Sequence, residues 1–219
     1  MTAPTLTASD RSASTALKVA NLAVKLGLVL LILVALADPD LGGVKAKAGD
    51  SRALAYPLAM LLVPAIWWAF YRAKSFPWLG DLLLCLPWFT DTLGNRLNLY
   101  DTLSWFDDWM HFMNWGLLTA GFLMITLPRG LPWWRALERG LAFGVPTAVL
   151  WEITEYVTFI RWSPELATAY EDTLGDLVLG STGTVLAALL VWAFRRSGSA
   201  TVTGLWSDES ALNTTSTTE

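Results

Sequence analysis

The sequence predicts an all-α protein, a polytopic bundle of about six transmembrane helices with disordered polar tails. Of its 219 residues, 54% are hydrophobic and only 16% are charged, whereas soluble domains carry about 25% charged residues. Several of the 13 tryptophans lie near the ends of apolar runs, where membrane proteins place aromatic belts. These runs recur at lengths that suit a bilayer, which needs about 20 residues per helix. We therefore expect a multi-pass protein of the cell membrane that contacts lipid.

The apolar runs divide the chain into one membrane domain and two tails. Residues 1–15 and 197–219 are rich in Ser and Thr, and we predict that both are disordered. Residues 16–196 form the predicted transmembrane domain. Its spans are Ala16–Ala37, Ala53–Tyr71, Phe76–Phe89, Ser104–Leu127, Gly140–Ile160 and Thr173–Phe194.

The first two spans differ in how they begin and bend. Ala16–Ala37 contains Lys18 and Lys25 in its first half, where their long side chains could reach the headgroups. We interpret this run as a retained helix and not as a signal peptide, because further spans follow it and no cleavage motif does. In the second span, Pro57 and Pro64 predict a kink.

Phe76–Phe89 is the weakest predicted span. It is short and contains Asp81, and a charge inside a span is costly. Two interpretations stay open: a thin spanning helix that extends toward Leu93, and a re-entrant segment. Thr90–Leu103 is predicted to be a polar loop outside the membrane. Its polar residues, which could line the mouth of the site, are Asp91, Asn95, Asn98 and Asp101.

Six spans would place both tails on the same side of the membrane. That side receives Arg11, Arg72, Lys74, Arg129, Arg135, Arg139, Arg195 and Arg196. The other side receives Lys45, Lys47, Arg52, Arg96 and Arg161. Because basic residues accumulate on the cytoplasmic side, we expect both termini in the cytoplasm. A re-entrant third segment would reverse the side on which the last three spans begin.

Acidic residues recur near the predicted outer ends of the last three spans. They are Asp107 and Asp108, beside the only histidine, His111, in the fourth span, Glu152 and Glu155 in the fifth, and Asp172 and Asp176 in the sixth. Spacings of three or four place two such residues on one helix face. Since successive helices run in opposite directions, all these groups fall within roughly 5–12 Å of the outer interface. We predict that they form one shared polar site.

A divalent metal is the expected occupant of that site. Carboxylates crowded in a low dielectric repel each other and take up protons unless a cation neutralises them. Oxygen-rich ligation with one imidazole suits Mg²⁺, Mn²⁺ or Fe²⁺, and helix bundles build dimetal sites from facing side chains. Protonated acids with hydrogen bonds to Asn114, Tyr100 or Tyr156 are the alternative. The predicted metal ligands are Asp107, His111, Glu152, Glu155, Asp172 and Asp176.

Three ordered motifs resemble those of the YjdF-like family of predicted bacterial integral membrane proteins. They are FDDWMHFMNWG, WEITEY and EDTLGDLVLGSTGT, within about Asp91–Leu190. The first holds an Asp-Asp-x-x-His element that ends at His111, the second a Trp-Glu-x-x-Glu element that ends at Glu155, and the third an Asp-Thr-x-x-Asp-Leu element that includes Asp176. The family has no established activity. The resemblance therefore implies a multi-span fold and a shared polar site, but no reaction.

Three classes of function compete. The first is a metal-dependent hydrolase or transferase that acts on a lipid or lipid-linked phosphate, with Asp108 or Glu155 as its general base. The second is an ion- or proton-coupled transporter that uses the same acids as a relay, although the inner halves of the last three spans are nearly all apolar. The third is a non-catalytic membrane scaffold. The predicted substrate contacts of the enzyme are Arg96, Arg161, Asn114 and Tyr100.

Other classes are disfavoured by composition. The net charge is −4 and no basic cluster occurs, so we expect no nucleic-acid partner. Cys85 is the only cysteine, which excludes a disulfide within the chain and a cysteine-rich metal motif.

Overall fold

A computed structural model describes residues 13–37 and 49–196, with the side chains of residues 49–54 excepted. These ranges contain seven α-helices and no β-strand. The helices are α1 (Thr15–Ala37), α2 (Gly49–Ile66, continued by a π-helical turn over Trp67–Tyr71), α3 (Trp78–Arg96), α4 (Leu99–Thr102), α5 (Phe106–Thr126), α6 (Trp133–Thr158) and α7 (Ala169–Arg196). Two 3-10 turns, Ile160–Trp162 and Pro164–Ala167, connect α6 to α7.

The all-helical class is confirmed for the described part of the chain. Within it, α1 and α7 are the two helices that are long and apolar enough to cross a membrane by length and composition, and Ala55–Tyr71 is a shorter apolar stretch. The predicted tails, 1–15 and 197–219, lie outside the described residues except for residues 13–15.

The first three long helices alternate in direction. Asn21, near the start of α1, donates a hydrogen bond to Asp81, near the start of α3, so these two helices are parallel. Tyr56, near the start of α2, donates to Asp91, near the end of α3, so α2 runs the opposite way. Successive helices that cross a membrane alternate in direction in the same way.

The alternation continues in the second half of the chain. Gly94, near the end of α3, lies against Phe106 at the start of α5, which makes these helices antiparallel. At the other end of α5, Arg195 of α7 donates to backbone carbonyls that include that of Leu127. The guanidinium thereby satisfies carbonyls that a helix end leaves without partners. It also makes α7 parallel to α5.

Small residues bring α5, α6 and α7 into close contact. A Cβ atom added to Gly183 of α7 would collide with the carbonyl oxygen of Phe112 and lie 3.2 Å from the amide nitrogen of Gly116. A Cβ on Gly140 of α6 would lie 2.9 Å from Ala188 of α7. Helices packed inside membranes use small residues in this way, because their association depends on close van der Waals contact.

The third predicted span is one continuous helix that is longer than its apolar run. α3 extends to Arg96, so the prediction of a loop is wrong for Thr90–Arg96. Asp91 and Asn95 are buried within it, where Asn95 donates to Asp91 of the same helix and Asp91 accepts from Tyr56 of α2. Asn95 Nδ2 lies 3.3 Å from Asp91 Oδ1, and the Tyr56 hydroxyl lies 2.7 Å from Asp91 Oδ2.

Lys25 forms an ion pair with Asp81 of α3 that the sequence did not predict. Its Nζ lies 2.7 Å from Oδ2 of Asp81, whose side chain is 0% exposed. Asn21 donates a second hydrogen bond to the same oxygen, at 2.8 Å. A buried carboxyl with a cation and a hydrogen-bond donor is tolerated where a lone charge would not be. This pairing explains how α3 accommodates Asp81.

The glycine packing makes a stability prediction. We expect Gly183→Ala to destabilise the bundle by about 2 kcal/mol or more, because the new methyl group meets backbone that cannot rotate away. Gly175→Ala is the matched control on the same helix, since a Cβ there has nothing within 4 Å. Thermal unfolding in detergent measures both variants. Equal midpoints would contradict the proposed contact between α5 and α7.

The buried ion pair makes a second prediction. Lys25→Met should leave the Asp81 carboxyl without its cation and cost about 3–5 kcal/mol, the range for breaking one side of a buried pair. Lys18→Met is the control, because Lys18 Nζ lies 5.9 Å from the centre of the Trp78 ring and forms no ion pair with the residues that the structure describes. The measurement is the free energy of unfolding of both variants in detergent. A Lys25→Met protein as stable as Lys18→Met would rule out a structural role for the pair.

Candidate functional site

His111 lies at the point where α5, α6 and α7 meet. It is one turn into α5 and only 7% exposed. The close packing described above allows its ring to reach the neighbouring helices, because Trp115, one turn further along α5, lies directly against Gly180 of α7. One turn back on each helix, the same register places His111 beside Asp176.

Carboxylates from three helices surround the His111 ring. Nδ1 lies 3.5 Å from Oε1 of Glu152 on α6. Nε2 lies 3.7 Å from Oδ2 of Asp176 on α7 and 3.7 Å from Oδ1 of Asp107, one turn earlier on α5. Glu152 and Asp176 are buried, with 5% and 3% exposure, whereas the Asp107 side chain is 44% exposed. The cluster is therefore closed toward α6 and α7 and open beside Asp107.

This arrangement has carboxylates on both sides of one imidazole. A neutral imidazole has one N–H and cannot donate to both sides, and the separations exceed the usual N–H···O range of about 2.7–3.2 Å. His111 Nδ1 and Glu152 Oε1 are buried, and neither has a hydrogen-bond partner among the described residues. A buried polar atom without a partner is costly. The cluster thus lacks positive charge, which a bound cation or a protonated ring would supply.

The geometry divides the possible metal ligands into two sets. Asp107, His111 and Asp176 offer ligand atoms within 4.8 Å of one another, and so do His111, Glu152 and Glu155. Asp107 and Asp176 face Nε2 while Glu152 faces Nδ1, so one ion cannot use both sets. Neighbouring ligand atoms around a cation with bonds of about 2.1 Å lie roughly 3–4 Å apart. The observed separations fit an ion at either nitrogen.

A small cavity lies beside the cluster. Its volume is about 50 Å³, which exceeds the roughly 10–15 Å³ that one water needs. Tyr100 and Asn114, two predicted substrate contacts, lie on its wall. The polar lining consists of Tyr56, Asp91, Tyr100, Asp107, His111, Asn114 and Glu155.

Asp91 belongs to the polar set that the sequence placed just outside the membrane, where it could line the mouth of the site. It was expected in an external loop, but it is 7% exposed and lines the same cavity as His111. The hydroxyl of Tyr100 donates to Asp91 Oδ1 at 2.7 Å, and Tyr56 donates to Oδ2. The four-residue spacing to Asn95 was the available signal, since it places both side chains on one helix face.

Four other predicted site residues do not line the cavity. Asp108 and Asp172 are exposed and belong to neither ligand set. Arg161 is exposed and its guanidinium lies 4.6 Å from the centre of the Trp162 ring. Arg96 is partly buried at the end of α3. Neither arginine lines the cavity.

Comparison with known families places these features in context. The family model described as "Predicted membrane protein (DUF2238)" matches residues 20–197. The match includes all three sequence motifs, and it confirms the resemblance to the YjdF-like family. Comparisons with curated proteins and with solved structures gave no match.

Proposed function

We propose that this chain, which belongs to the DUF2238 family of predicted membrane proteins, is a metal-dependent membrane hydrolase or transferase. Its substrate is a lipid or lipid-linked phosphate. The observation that carries the proposal is the buried, unsatisfied pair of His111 Nδ1 and Glu152 Oε1, beside further carboxylates at Nε2. A divalent cation coordinated by His111 would neutralise the surrounding carboxylates and fix the tautomer of the ring, so that the other ring nitrogen gains a defined partner.

We assign the ion to the Nε2 side of His111, with Asp107 and Asp176 as the other protein ligands. The Nδ1–H then donates to Glu152, in the carboxylate–histidine–metal arrangement that orients many metal-bound imidazoles. The partial exposure of Asp107 leaves an open side for water or substrate, as a catalytic ion requires. Two carboxylates and one imidazole favour Mg²⁺, Mn²⁺ or Fe²⁺.

The remaining cavity residues supply the other roles. A bound ion polarises phosphoryl oxygens and promotes ionisation of its water. Glu155 lines the cavity and would take up the proton of the attacking water as general base, then return it to the alcohol oxygen as the ester P–O bond breaks. Asp108 is exposed, so we no longer assign this role to it. Asn114 and Tyr100 contact the phosphate ester from the α3–α5 side.

The charges of the cavity make the ion a requirement for substrate binding. Among the described residues that line it, three are acidic and none is Lys or Arg. The carboxylates that line this small, low-dielectric cavity would repel the negative charge of a phosphate placed in it. The arginines once expected to hold the phosphate lie elsewhere, so the ion takes over their part.

We also propose that all six long helices span the membrane and that the site faces the extracytoplasmic side. The alternating directions place seven of the described basic residues at the end of the bundle opposite the site. These are Arg72, Lys74, Arg129, Arg135, Arg139, Arg195 and Arg196. Arg96 and Arg161 lie at the site end, as does the backbone of Arg52 at the start of α2, while Arg11, Lys45 and Lys47 lie outside the described residues. Because basic residues accumulate on the cytoplasmic side, this distribution favours a cytoplasmic location for both termini.

The structure of the bundle centre disfavours the transporter alternative. Below the site, Thr119 and Thr184 share a buried hydrogen bond of 3.2 Å. Further toward the basic end, α5, α6 and α7 enclose an apolar cluster that includes Leu123 and Ala188. A relay of ions or protons needs polar groups across the membrane, and these helices place an apolar layer in its way.

Metal binding is the first test of the proposal. We expect the detergent-purified protein to bind Mn²⁺ in calorimetric titration, and Asp176→Asn to weaken binding by about tenfold or more. Asp172→Asn is the matched control, since it makes the same change one turn earlier at an exposed position. Absence of Mn²⁺ binding to the wild type would overturn the proposal. Equal losses in both variants would refute the assignment of Asp176.

The general base provides a separate test. Glu155→Gln should retain Mn²⁺ binding and lower turnover by about 10²–10⁴-fold, the usual contribution of acid–base catalysis. The assay follows phosphate release from phosphatidic acid and from a polyprenyl phosphate in mixed micelles. Asp108→Asn is the control and should keep near-normal turnover. A fall in turnover confined to Asp108→Asn would contradict this assignment.

A further inference from the structure

A second, larger cavity lies next to the polar one. It is a groove of about 520 Å³, within the range of about 300–1,000 Å³ that small-molecule sites occupy. Its sides are formed by α2 and α6, and its floor by α3 and α5. Leu62 of α2 and Leu150 of α6 stand at its rim with 57% and 61% exposure. The groove therefore opens sideways, toward the region that lipid would occupy.

The groove offers few hydrogen bonds to an occupant. Indole N–H groups occur only in the tryptophans of its lining, Trp88, Trp115 and Trp151, and its hydroxyl side chains are Thr126, Thr147 and Thr154. Each hydroxyl donates to a carbonyl of its own helix, at 2.8, 2.6 and 2.7 Å respectively. Every other side chain that lines it is apolar or aromatic. Such a surface suits a hydrocarbon chain, because a polar ligand would lose its hydrogen bonds to water there.

The groove and the polar cavity share a wall. Trp88, Trp115, Leu118 and Trp151 line both. From Trp115, the groove follows α5 to Thr126, which is about 16 Å along a helix axis. Three tryptophans thus separate an apolar channel of this length from the carboxylates. An amphiphile that lies across this wall would have its hydrocarbon chain in the apolar groove and its polar end in the polar cavity.

We infer that the groove holds the hydrocarbon chain of a membrane amphiphile whose phosphate lies in the His111 cavity. The molecule enters from the bilayer between α2 and α6. This inference rests on the proposed function and narrows its substrate to a lipid phosphate with at least one chain in the groove. Soluble phosphate esters lack the part that the groove recognises.

Photolabelling tests the inference. The protein is reconstituted in nanodiscs that contain phosphatidic acid with a diazirine on one acyl chain, and the labelled residues are mapped by mass spectrometry. We expect label on the groove faces of α2, α5 and α6 above the level on exposed α1 residues such as Leu26. Ala59→Trp should remove most of the groove label, because Ala59 lines the groove. Ala65→Trp is the matched control, as Ala65 is exposed on the same helix and does not line it.

A second pair keeps the test decisive if Ala59→Trp does not fold. Thr147→Trp fills the groove from α6, and Val149→Trp is its exposed control. Uniform label around the bundle, or equal label in a groove variant and its control, overturns the inference. Mn²⁺ titration of the same samples separates the two proposals. Wild-type protein that binds Mn²⁺ without groove label refutes only the lipid chain, whereas groove label without Mn²⁺ binding refutes the metal site.

Discussion

The close approach of α5 to α7 is the constraint on which the site depends. Where Gly183 meets the backbone of Phe112 and Gly116, no side chain separates the two helices. Packing of this kind is a main source of helix association in lipid, because lipid tails are as apolar as the helices themselves. The same register sets His111 beside Asp176. The glycines and the polar cluster are therefore parts of one interface. The glycines set the short distance between α5 and α7, and this distance brings His111 close to Asp176.

The bundle buries acidic groups in two different ways. Asp81 has Lys25 and Asn21 within hydrogen-bond distance, so its charge is satisfied inside the protein and its role is structural. The cluster around His111 has several carboxylates and no Lys or Arg in its ion pairs, within the residues described. Buried charge without an internal partner is expensive and persists where function requires it. The pair of Lys25 and Asp81 is therefore structural, whereas the cluster around His111 can accept an external cation.

The two cavities also differ in polarity along the length of the bundle. Carboxylates, tyrosines and one histidine gather at one end of the helices, while a leucine-rich layer fills the other. The apolar groove lies alongside the core and joins the polar cavity at its tryptophan wall. A lipid in the bilayer has the same order of surroundings, with its polar group at the interface and its chain below. The proposed substrate therefore has its polar and apolar parts in the same order as the polar cavity and the apolar groove.

The sequence by itself determined the all-helical class, the positions of the apolar runs and the spacing of the acids, because hydropathy and helical periodicity are local properties. Those spacings were enough to predict that Asp107, His111, Glu152, Glu155 and Asp176 approach one another, since alternating helices bring like depths together. Only the tertiary structure decided that Asp91 enters the site, that Lys25 turns inward to Asp81, and that Asp108 and Asp172 face outward. The rotation of each helix about its axis, and the partners that satisfy a buried polar atom, come from contacts between helices distant in sequence. No local pattern specifies those contacts.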